Sequence, residues 1–161
     1  MNIYLDNDMK KIYNLITKYI IRNLTMLGKR KVRKNAFELV FGYEFNKEES
    51  PVSYYERAYD NFVCEDDEEE SVKNLFLGVC DNVERLDEVI SANLSGWKLN
   101  RLSKTTLSIM RISVYEMMLA NLPAAISINE AVELAKQYGE DGSVSYINGV
   151  LNNIAKGLKN D

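Results

Sequence analysis

Apolar residues recur at intervals of three and four along most of this chain, and no stretch shows the sustained alternation of a half-buried strand. The longest such run predicts one helix from Ser71 to about Leu94, with the stripe Val72, Leu75, Phe76, Val79, Val83, Leu86 and Ile90. A chain of 161 residues, 46% of them hydrophobic, is long enough for one core and short for two independent domains. We therefore predict an all-α fold of about six or seven helices around a shared core.

Three helical patterns precede this run. The first covers Met9 to Leu24 and is basic and amphipathic. The second begins near Lys31 and ends before Asn46, and its buried stripe is Val32, Ala36, Leu39, Val40 and Tyr43. A shorter, less regular helix is predicted from Tyr54, Tyr55, Tyr59 and Phe62. The acidic run 65–70 that follows is typical of a solvated loop or of a helix start.

A further helix is predicted after Ser103, which can act as its N-cap. It ends before Asn121 and Pro123, and its inward face is Leu107, Met110, Val114, Met117 and Met118. Arg111 lies on this otherwise apolar helix. We expect Arg111 to pair with Glu116 or with an acid on another helix, or to cap carbonyls, rather than to bind a ligand.

The segment SINEAVELAKQYGEDGSVSYINGVL, residues 127–151, carries the signals of two more helices. Ser127 and Glu130 have the spacing of a capping box at the start of the first. Gly139 predicts where that helix ends, and Ser143 is the predicted cap of the last helix. Gly149 lies inside that last helix at a cost of about 1 kcal/mol relative to alanine, so we expect another backbone to approach it closely.

The chain has no histidine and only two cysteines. These counts exclude His-based acid–base and nucleophilic catalysis, and the zinc motifs built from Cys and His. No P-loop or dinucleotide-binding glycine motif occurs. Glu130 is explained by the capping box and Glu133 by an exposed pair with Lys136 or Gln137. We predict a reduced, cytoplasmic protein that is not an enzyme and uses no metal or cofactor.

Positive charge is concentrated near the N terminus of a chain whose net charge is −4. Residues 9–37 include nine Lys or Arg and no acid. Five of them form the cluster KRKVRK: Lys29, Arg30, Lys31, Arg33 and Lys34. They lie at the predicted start of a helix, where the dipole disfavours each exposed cation by about 0.3–1 kcal/mol. A bound phosphate would offset that cost; the alternative, given equal weight, is a solubilising arm.

Tyr146 lies at the edge of the apolar stripe of the last helix. Half-buried packing is the favoured interpretation. The alternative is a ring on which an unpaired base stacks, a contact worth about 1–3 kcal/mol. The nearby Asn148 is expected to hydrogen-bond a neighbouring loop or, as the second choice, a phosphate.

Residues 1–25 are interpreted as an N-terminal extension, and residues 26–161 as the main domain. Lys18 and Arg22 interrupt the apolar run of the extension, which argues against a signal peptide or a spanning helix. The favoured interpretations are an accessory helix packed on the body or a start assigned too far upstream of Met26. A helix on a membrane surface is the third alternative.

Three segments of the sequence resemble one known family. SINEAVELAKQYG followed by SYINGVLNNIAK resembles the C-terminal signature of the NusB family of bacterial transcription antitermination factors. The upstream RLSKTTLSIMRISVYEMM looks like the family's preceding helix, with Arg111, Tyr115 and Glu116 in matching places. KRKVRKNAFELVFGYEF resembles its Arg-rich N-terminal helix. The resemblance covers about residues 29–158.

This resemblance implies an all-helical domain of two small bundles with a role in antitermination of ribosomal RNA transcription. Members of the family bind the boxA element of nascent RNA together with NusE, a ribosomal small-subunit protein, in a complex with other Nus factors and RNA polymerase. In the family, RNA contacts the Arg-rich helix and an aromatic residue two positions before the Asn-Gly pair. These positions map to Lys29, Arg30, Lys31, Arg33, Lys34 and Tyr146.

Three features depart from the family pattern. Several arginines of the basic helix are lysines here, which keeps the charge but loses bidentate phosphate geometry. Thr106 stands where many members have an acidic residue on the side that meets NusE, and the first 25 residues have no counterpart. Two alternative functions are a homodimeric helical interaction module and a stand-alone relative of the NusB-like domain that precedes the catalytic domain of certain ribosomal RNA cytosine methyltransferases.

Overall fold

The computed structural model describes the backbone of residues 7–60 and 66–159, and the side chains in these ranges except those of 7–10, 13–14, 17–28 and 66–67. Over these residues it has seven α-helices and no strand: α1 Asn7–Tyr43, α2 Pro51–Tyr59, α3 Asp66–Asp81, α4 Val83–Ala92, α5 Lys104–Met118, α6 Ala124–Tyr138 and α7 Ser143–Leu158. A single 3-10 turn, Leu99–Arg101, precedes α5. The prediction of an all-α fold is confirmed.

Helix α5 joins two packed groups of helices. It contacts α1 and α3 on one side and α6 and α7 on the other, and its residues 106–114 are all buried. In the first group, α1, α2 and α3 enclose an aromatic cluster in which the rings of Tyr43, Tyr54 and Phe76 lie 5.3–5.9 Å apart. In the second group, α6 and α7 pack on each other. This arrangement agrees with the expected two small bundles.

The predicted break between the first two helices is wrong. α1 continues from Asn7 to Tyr43, with Gly28 inside it and no proline. One helical glycine costs about 1 kcal/mol, which the strong helix formers on either side offset. The cluster KRKVRK therefore lies in the helix interior, far from the unpaired N–H groups of the first turn. The predicted dipole penalty on these cations does not apply.

The single helix predicted from Ser71 to Leu94 is in fact two helices that meet at Asn82. The backbone of Asn82 leaves the α-helical region, with φ −114° and ψ 11°. Its side-chain Nδ2 donates to the carbonyl oxygen of Gly78 at 2.8 Å. The side chain thus occupies a carbonyl that would accept a backbone N–H in a continuous helix. The apolar spacing continues across this one-residue bend, and for that reason periodicity does not reveal it.

The predicted capping box is also wrong. Helix α6 begins at Ala124, directly after Pro123, so Ser127 and Glu130 lie inside the helix rather than at its start. Both side chains are buried and face other helices. The spacing of a capping box arose here from two residues that have tertiary partners instead.

The other predicted helix ends agree closely with the structure. Ser103 caps α5, its hydroxyl accepting from the Thr106 N–H at 3.2 Å. Gly139 ends α6. The cap of α7 is one residue earlier than predicted: Gly142 takes φ +83°, a left-handed conformation that favours glycine, and Ser143 is the first helical residue.

Arg111 lies in a charged cluster that joins three helices. Its Nε and Nη2 each donate to a carboxylate oxygen of Asp87 at 2.7 Å, and its Nη1 donates to Glu44 at 2.6 Å. Glu44 also pairs with Lys47 at 2.8 Å and with Lys104 at 3.0 Å. The predicted internal role of Arg111 is confirmed, and its partners are an acid on another helix, Asp87 on α4, and Glu44, the residue that follows α1.

This cluster predicts how acid affects stability. Burial raises the pKa of Glu44, but hydrogen bonds from Lys47 and Lys104 and the charge of Arg111 outweigh it and lower the pKa from 4.5 to about 2. A carboxyl group whose pKa is lower in the folded than in the unfolded state stabilises the fold fully at a pH above its unfolded-state pKa. This stabilisation is lost as the pH falls through its folded-state pKa. We expect Glu44→Gln to lower the free energy of unfolding by about 1–3 kcal/mol near neutral pH, after allowance for solvent screening.

Urea unfolding of both proteins from neutral to acidic pH measures this effect. The difference in stability between parent and Glu44→Gln is expected to shrink as the pH falls from 4.5 toward about 2. Glu133→Gln is the matched control, because its pair with Lys136 at 2.7 Å is exposed. A Glu44→Gln difference that stays constant through this window would contradict the prediction.

Candidate functional site

An open groove of about 450 Å³ runs between α1 and α6. It is lined by Arg30, Lys31, Arg33, Lys34, Glu130, Glu133, Leu134, Lys136 and Gln137. Four half-exposed cations, the buried Arg33 and two carboxylates line it, so the lining residues carry a net positive charge. The structure thus collects here every member of the KRKVRK cluster except Lys29, which is exposed on α1. Lys136 and Gln137 complete the groove from α6, and sequence reasoning had selected neither as a binding residue.

The outer cations of the groove keep their charged ends near solvent. The side chains of Arg30, Lys31, Lys34 and Lys136 are between 38% and 58% exposed. Each has a carboxylate partner, namely Glu130, Glu68, Glu38 and Glu133 at 3.1, 3.1, 3.8 and 2.7 Å. The pairs of Lys34 and Lys136 have partly exposed carboxylates, and ion pairs at such positions contribute about 0–1 kcal/mol, whereas the carboxylates of Glu130 and Glu68 are largely buried. A phosphate entering the groove could therefore compete for Lys34 and Lys136 at small energetic cost.

Arg33 differs from the rest of the cluster because its side chain is buried, only 6% of the residue being exposed. Its Nε donates to the two Glu116 oxygens at 2.8 and 3.0 Å, and its Nη1 donates to Glu130 at 3.3 Å. The RNA contact expected of Arg33 stays a prediction, which this geometry does not favour. Two carboxylates from α5 and α6 occupy its guanidinium, which holds α1 in place instead of facing a phosphate.

A buried polar network surrounds this arginine. Glu130 bridges Arg33 and the more exposed Arg30, whose Nε donates to it at 3.1 Å. On the other side, the Ser127 hydroxyl lies 3.4 Å from Glu116 and 2.8 Å from the Ser113 hydroxyl. Glu130 and Ser127 are the two residues that had been assigned to the capping box. The sequence contained one signal for this network. Arg33 lies on the buried stripe of α1, where a charged side chain needs a buried partner.

Tyr146 does not line the basic groove. It is half-buried on α7 and packs against the core, in agreement with the favoured interpretation. It lines a smaller pocket whose other walls come from residues 97–106 and 140–143. The structure therefore separates the two RNA-contacting features predicted from the sequence into two sites.

The neighbours of Tyr146 on α7 lack the expected contacts. Asn148 is exposed, and its carbonyl and side-chain oxygens accept from Asn152 at 2.8 and 3.2 Å, not from a loop. Nothing lies within 4 Å of a Cβ built on Gly149. The close backbone approach predicted at Gly149 is wrong, because this face of α7 points to solvent.

The part of α1 that covers the predicted N-terminal extension carries exposed apolar residues. The described side chains of Ile12, Leu15 and Ile16 are each more than half exposed, so these three do not pack on the body. Within the described ranges, no helix has the length and hydropathy needed to cross a membrane. In the same ranges, no cluster of three or more acidic or cysteine side chains is placed to hold a metal ion.

The NusB family matches this chain over residues 30–156. The chain is similar to transcription antitermination protein NusB of Clostridium perfringens, with 38% identity over 135 residues, which is 83% of this chain and all of the relative. It is similar to the protein of the same name from Clostridium novyi, with 40% identity over 137 residues, 81% of this chain and 99% of the relative.

Solved structures share the fold. A NusB from T. maritima matches with a TM-score of 0.72 and 31% identity, covering 79% of this chain and 89% of that one. A crystal structure of antitermination factors NusB and NusE in complex with dsRNA matches with a TM-score of 0.72 and 22% identity, covering 82% of this chain and 98% of that one. At 22% identity, the match to the NusB–NusE complex establishes the fold alone.

Proposed function

The chain belongs to the NusB family, and we propose that it is an antitermination factor that binds the boxA RNA of ribosomal RNA operons together with NusE. The observation that carries this proposal is the positive groove between α1 and α6, on the helix to which the family resemblance assigns RNA binding. Relatives that share 38–40% of its residues carry the name transcription antitermination protein. A role in transcription makes the cytoplasm its expected compartment and requires no catalysis.

The groove suits the backbone of an RNA strand. Arg30 and Lys34 on α1 and Lys136 on α6 flank it from two sides, so successive phosphates can be neutralised along its length. Each neutralised phosphate releases condensed counterions, which favours binding at low salt. Lys29 and Lys31 add charge on the same helix. Arg33 acts as a positioning residue, since it holds α1 against α5 and α6 from within.

Tyr146 is proposed as a base-stacking residue outside the groove. Its ring is half-buried and is held by the core, so stacking a base on it orders little additional side chain. Phosphates in the groove and a base at Tyr146 divide the RNA contacts between α1, α6 and α7. The first kind of contact supplies affinity and the second adds selectivity for unpaired RNA.

The acidic body of the protein suits a basic partner such as a ribosomal protein. Two acids and nine basic residues precede Glu38, which leaves −11 for the remainder of a chain with net charge −4. Complementary charge of this kind accelerates association and selects partners. We propose that NusE binds the body while RNA binds the basic helix, and that each strengthens the binding of the other.

Titration of boxA RNA with and without NusE tests this function. We expect NusE to raise the affinity for boxA RNA by about 5- to 150-fold, the range of ordinary coupling between two binding sites. A scrambled RNA of equal length is the control and should gain less. An RNA affinity that NusE leaves unchanged, and that also survives replacement of Arg30, Lys31 and Lys34 by Glu, would refute the proposal.

A further inference from the structure

We infer that Trp97 is a second base-binding residue and that it forms, with Tyr146, a slot for one unpaired RNA base. This inference rests on the proposed function, because it concerns the same RNA. It adds a residue, Trp97, that neither the charge pattern nor the family resemblance indicated. It also assigns the two sites different ligands: the basic groove binds phosphates, and the slot binds one base.

The exposure of Trp97 is the first observation. It is the only tryptophan of the chain, and 58% of its surface is exposed although tryptophan is usually well buried. The backbone holds it in a defined place between Gly96, with φ +75°, and the 3-10 turn Leu99–Arg101. The rings of Trp97 and Tyr146 contact each other edge to face, with centroids 6.4 Å apart and planes at 64°.

The two rings stand at one pocket of about 270 Å³. Its other lining residues include Arg101, Thr106, Glu140 and Ser143. This volume is below the roughly 300–1,000 Å³ of pockets that hold drug-sized ligands. The pocket therefore matches one planar ring system better than a larger ligand or a peptide segment.

Two residues that line this pocket, Tyr146 and Ser143, carry hydroxyl groups without a partner in the part of the chain that the structure describes. The hydroxyl oxygens of Tyr146 and Ser143 are buried and have no hydrogen-bond partner among the described residues. Ser143 as a whole is only 8% exposed. A buried polar group without a partner is unfavourable, and a ligand that supplies a partner relieves this cost. The polar edge of a base supplies both donors and acceptors.

Charge distinguishes this pocket from the basic groove. Arg101 is its only lining cation, and two exposed acids, Glu140 and Asp141, stand at its rim. These carboxylates repel a phosphate but accept hydrogen bonds from the amino groups of a base. Arg101 can pair with the phosphate that flanks the base. The pocket is therefore suited to the neutral part of a nucleotide, as the groove is to its charged part.

The test uses Trp97 as its own fluorescent probe, with the signal of NusE subtracted by means of the Trp97→Phe complex. We expect boxA RNA to quench the emission of Trp97 in the complex with NusE. Trp97→Ala is expected to lower the RNA affinity by about 5- to 150-fold, the equivalent of one lost stacking contact. Trp97→Phe, which keeps an aromatic face, should lose less than about 5-fold.

Phe45→Ala is the matched control, because Phe45 is an exposed aromatic residue that does not line this pocket; its RNA affinity should equal that of the parent. If the parent fails to bind boxA RNA with NusE, both the proposed function and this inference fail. If the parent binds and Trp97→Ala binds equally well, only the inference fails. If Trp97→Ala loses NusE but keeps its affinity for RNA alone, the surface binds protein and the inference is again overturned.

Discussion

Replacing Arg33 by alanine is expected to destabilise the fold by about 3–5 kcal/mol, the usual result of removing one partner from a buried ion pair. The substitution leaves Glu116 and Glu130 buried without the guanidinium that now lies 2.8 and 3.3 Å from them. It also removes the ion pairs by which Arg33 joins α1 to α5 and α6 at the level of the groove. Urea unfolding monitored by circular dichroism measures the change.

Arg30→Ala is the control for this prediction. Arg30 contacts the same Glu130 from a half-exposed position, so its loss should change stability by about 1 kcal/mol or less. A second variant combines Arg33→Met with Glu116→Gln and Glu130→Gln, which removes the charges together; it should recover at least half of the lost stability. Equal stability losses for Arg33→Ala and Arg30→Ala would contradict the assigned role of Arg33.

In RNA binding, we expect the loss of Arg30 to have the larger effect and the loss of Arg33 the smaller, the reverse of their effects on stability. The folded Arg33→Met triple variant should keep the salt dependence of the parent, because its guanidinium is not offered to phosphate. Arg30→Ala should reduce the slope of log affinity against log salt by about 0.7, the value for one phosphate contact on a single strand. A stability effect at Arg33 and a binding effect at Arg30 are thus expected from neighbouring members of one basic cluster.

Replacing Arg30, Lys34 and Lys136 together by glutamine is expected to cause a large loss of RNA binding. Three phosphate contacts disappear, so the salt slope should fall by about 2 and the affinity at low salt by about 100-fold. The prediction includes Lys136 because the groove has two walls, one from α1 and one from α6. Titrations at several salt concentrations measure the slope and the affinity in one experiment.

The matched control replaces three exposed cations outside the groove, Arg57, Arg85 and Lys159, by glutamine. It changes the net charge by the same amount and should leave the salt slope within about 0.5 of the parent value. Equal losses in both variants would mean that RNA responds to overall charge rather than to this groove. A slope unaffected by either variant would remove the groove from the RNA site.

Local patterns were sufficient for most helices of this protein and for the identification of its basic segment. The stripe Ala36, Leu39, Val40 and Tyr43 is buried as predicted, and Ser103 caps α5. The helix predictions were wrong where one local sequence pattern is compatible with two structures. Asn82 bends a helix without breaking the apolar spacing, and Ser127 with Glu130 has the spacing of a cap but binds other helices.

The candidate sites were predicted less completely. Charge alone selected both Arg33 and Lys34 as RNA-binding residues. In the structure, Arg33 faces the core and Lys34 faces the groove. Lys136 had been explained by its pair with Glu133, and that pair is present. Trp97 had no pattern to mark it, because a single aromatic residue in a loop has no periodicity. Its relation to Tyr146 exists only after the chain has folded.

The sequence by itself determined the helical class, the family signature and the concentration of positive charge, because each depends on residues within a few turns of one another. The tertiary structure decided which charges are available. Arg33 meets Glu116 and Glu130 across 83 and 97 residues of sequence, and Arg30 meets Glu130 across 100. Burial and ion pairing over such separations follow from how α1 packs on α5 and α6, which no local spacing encodes.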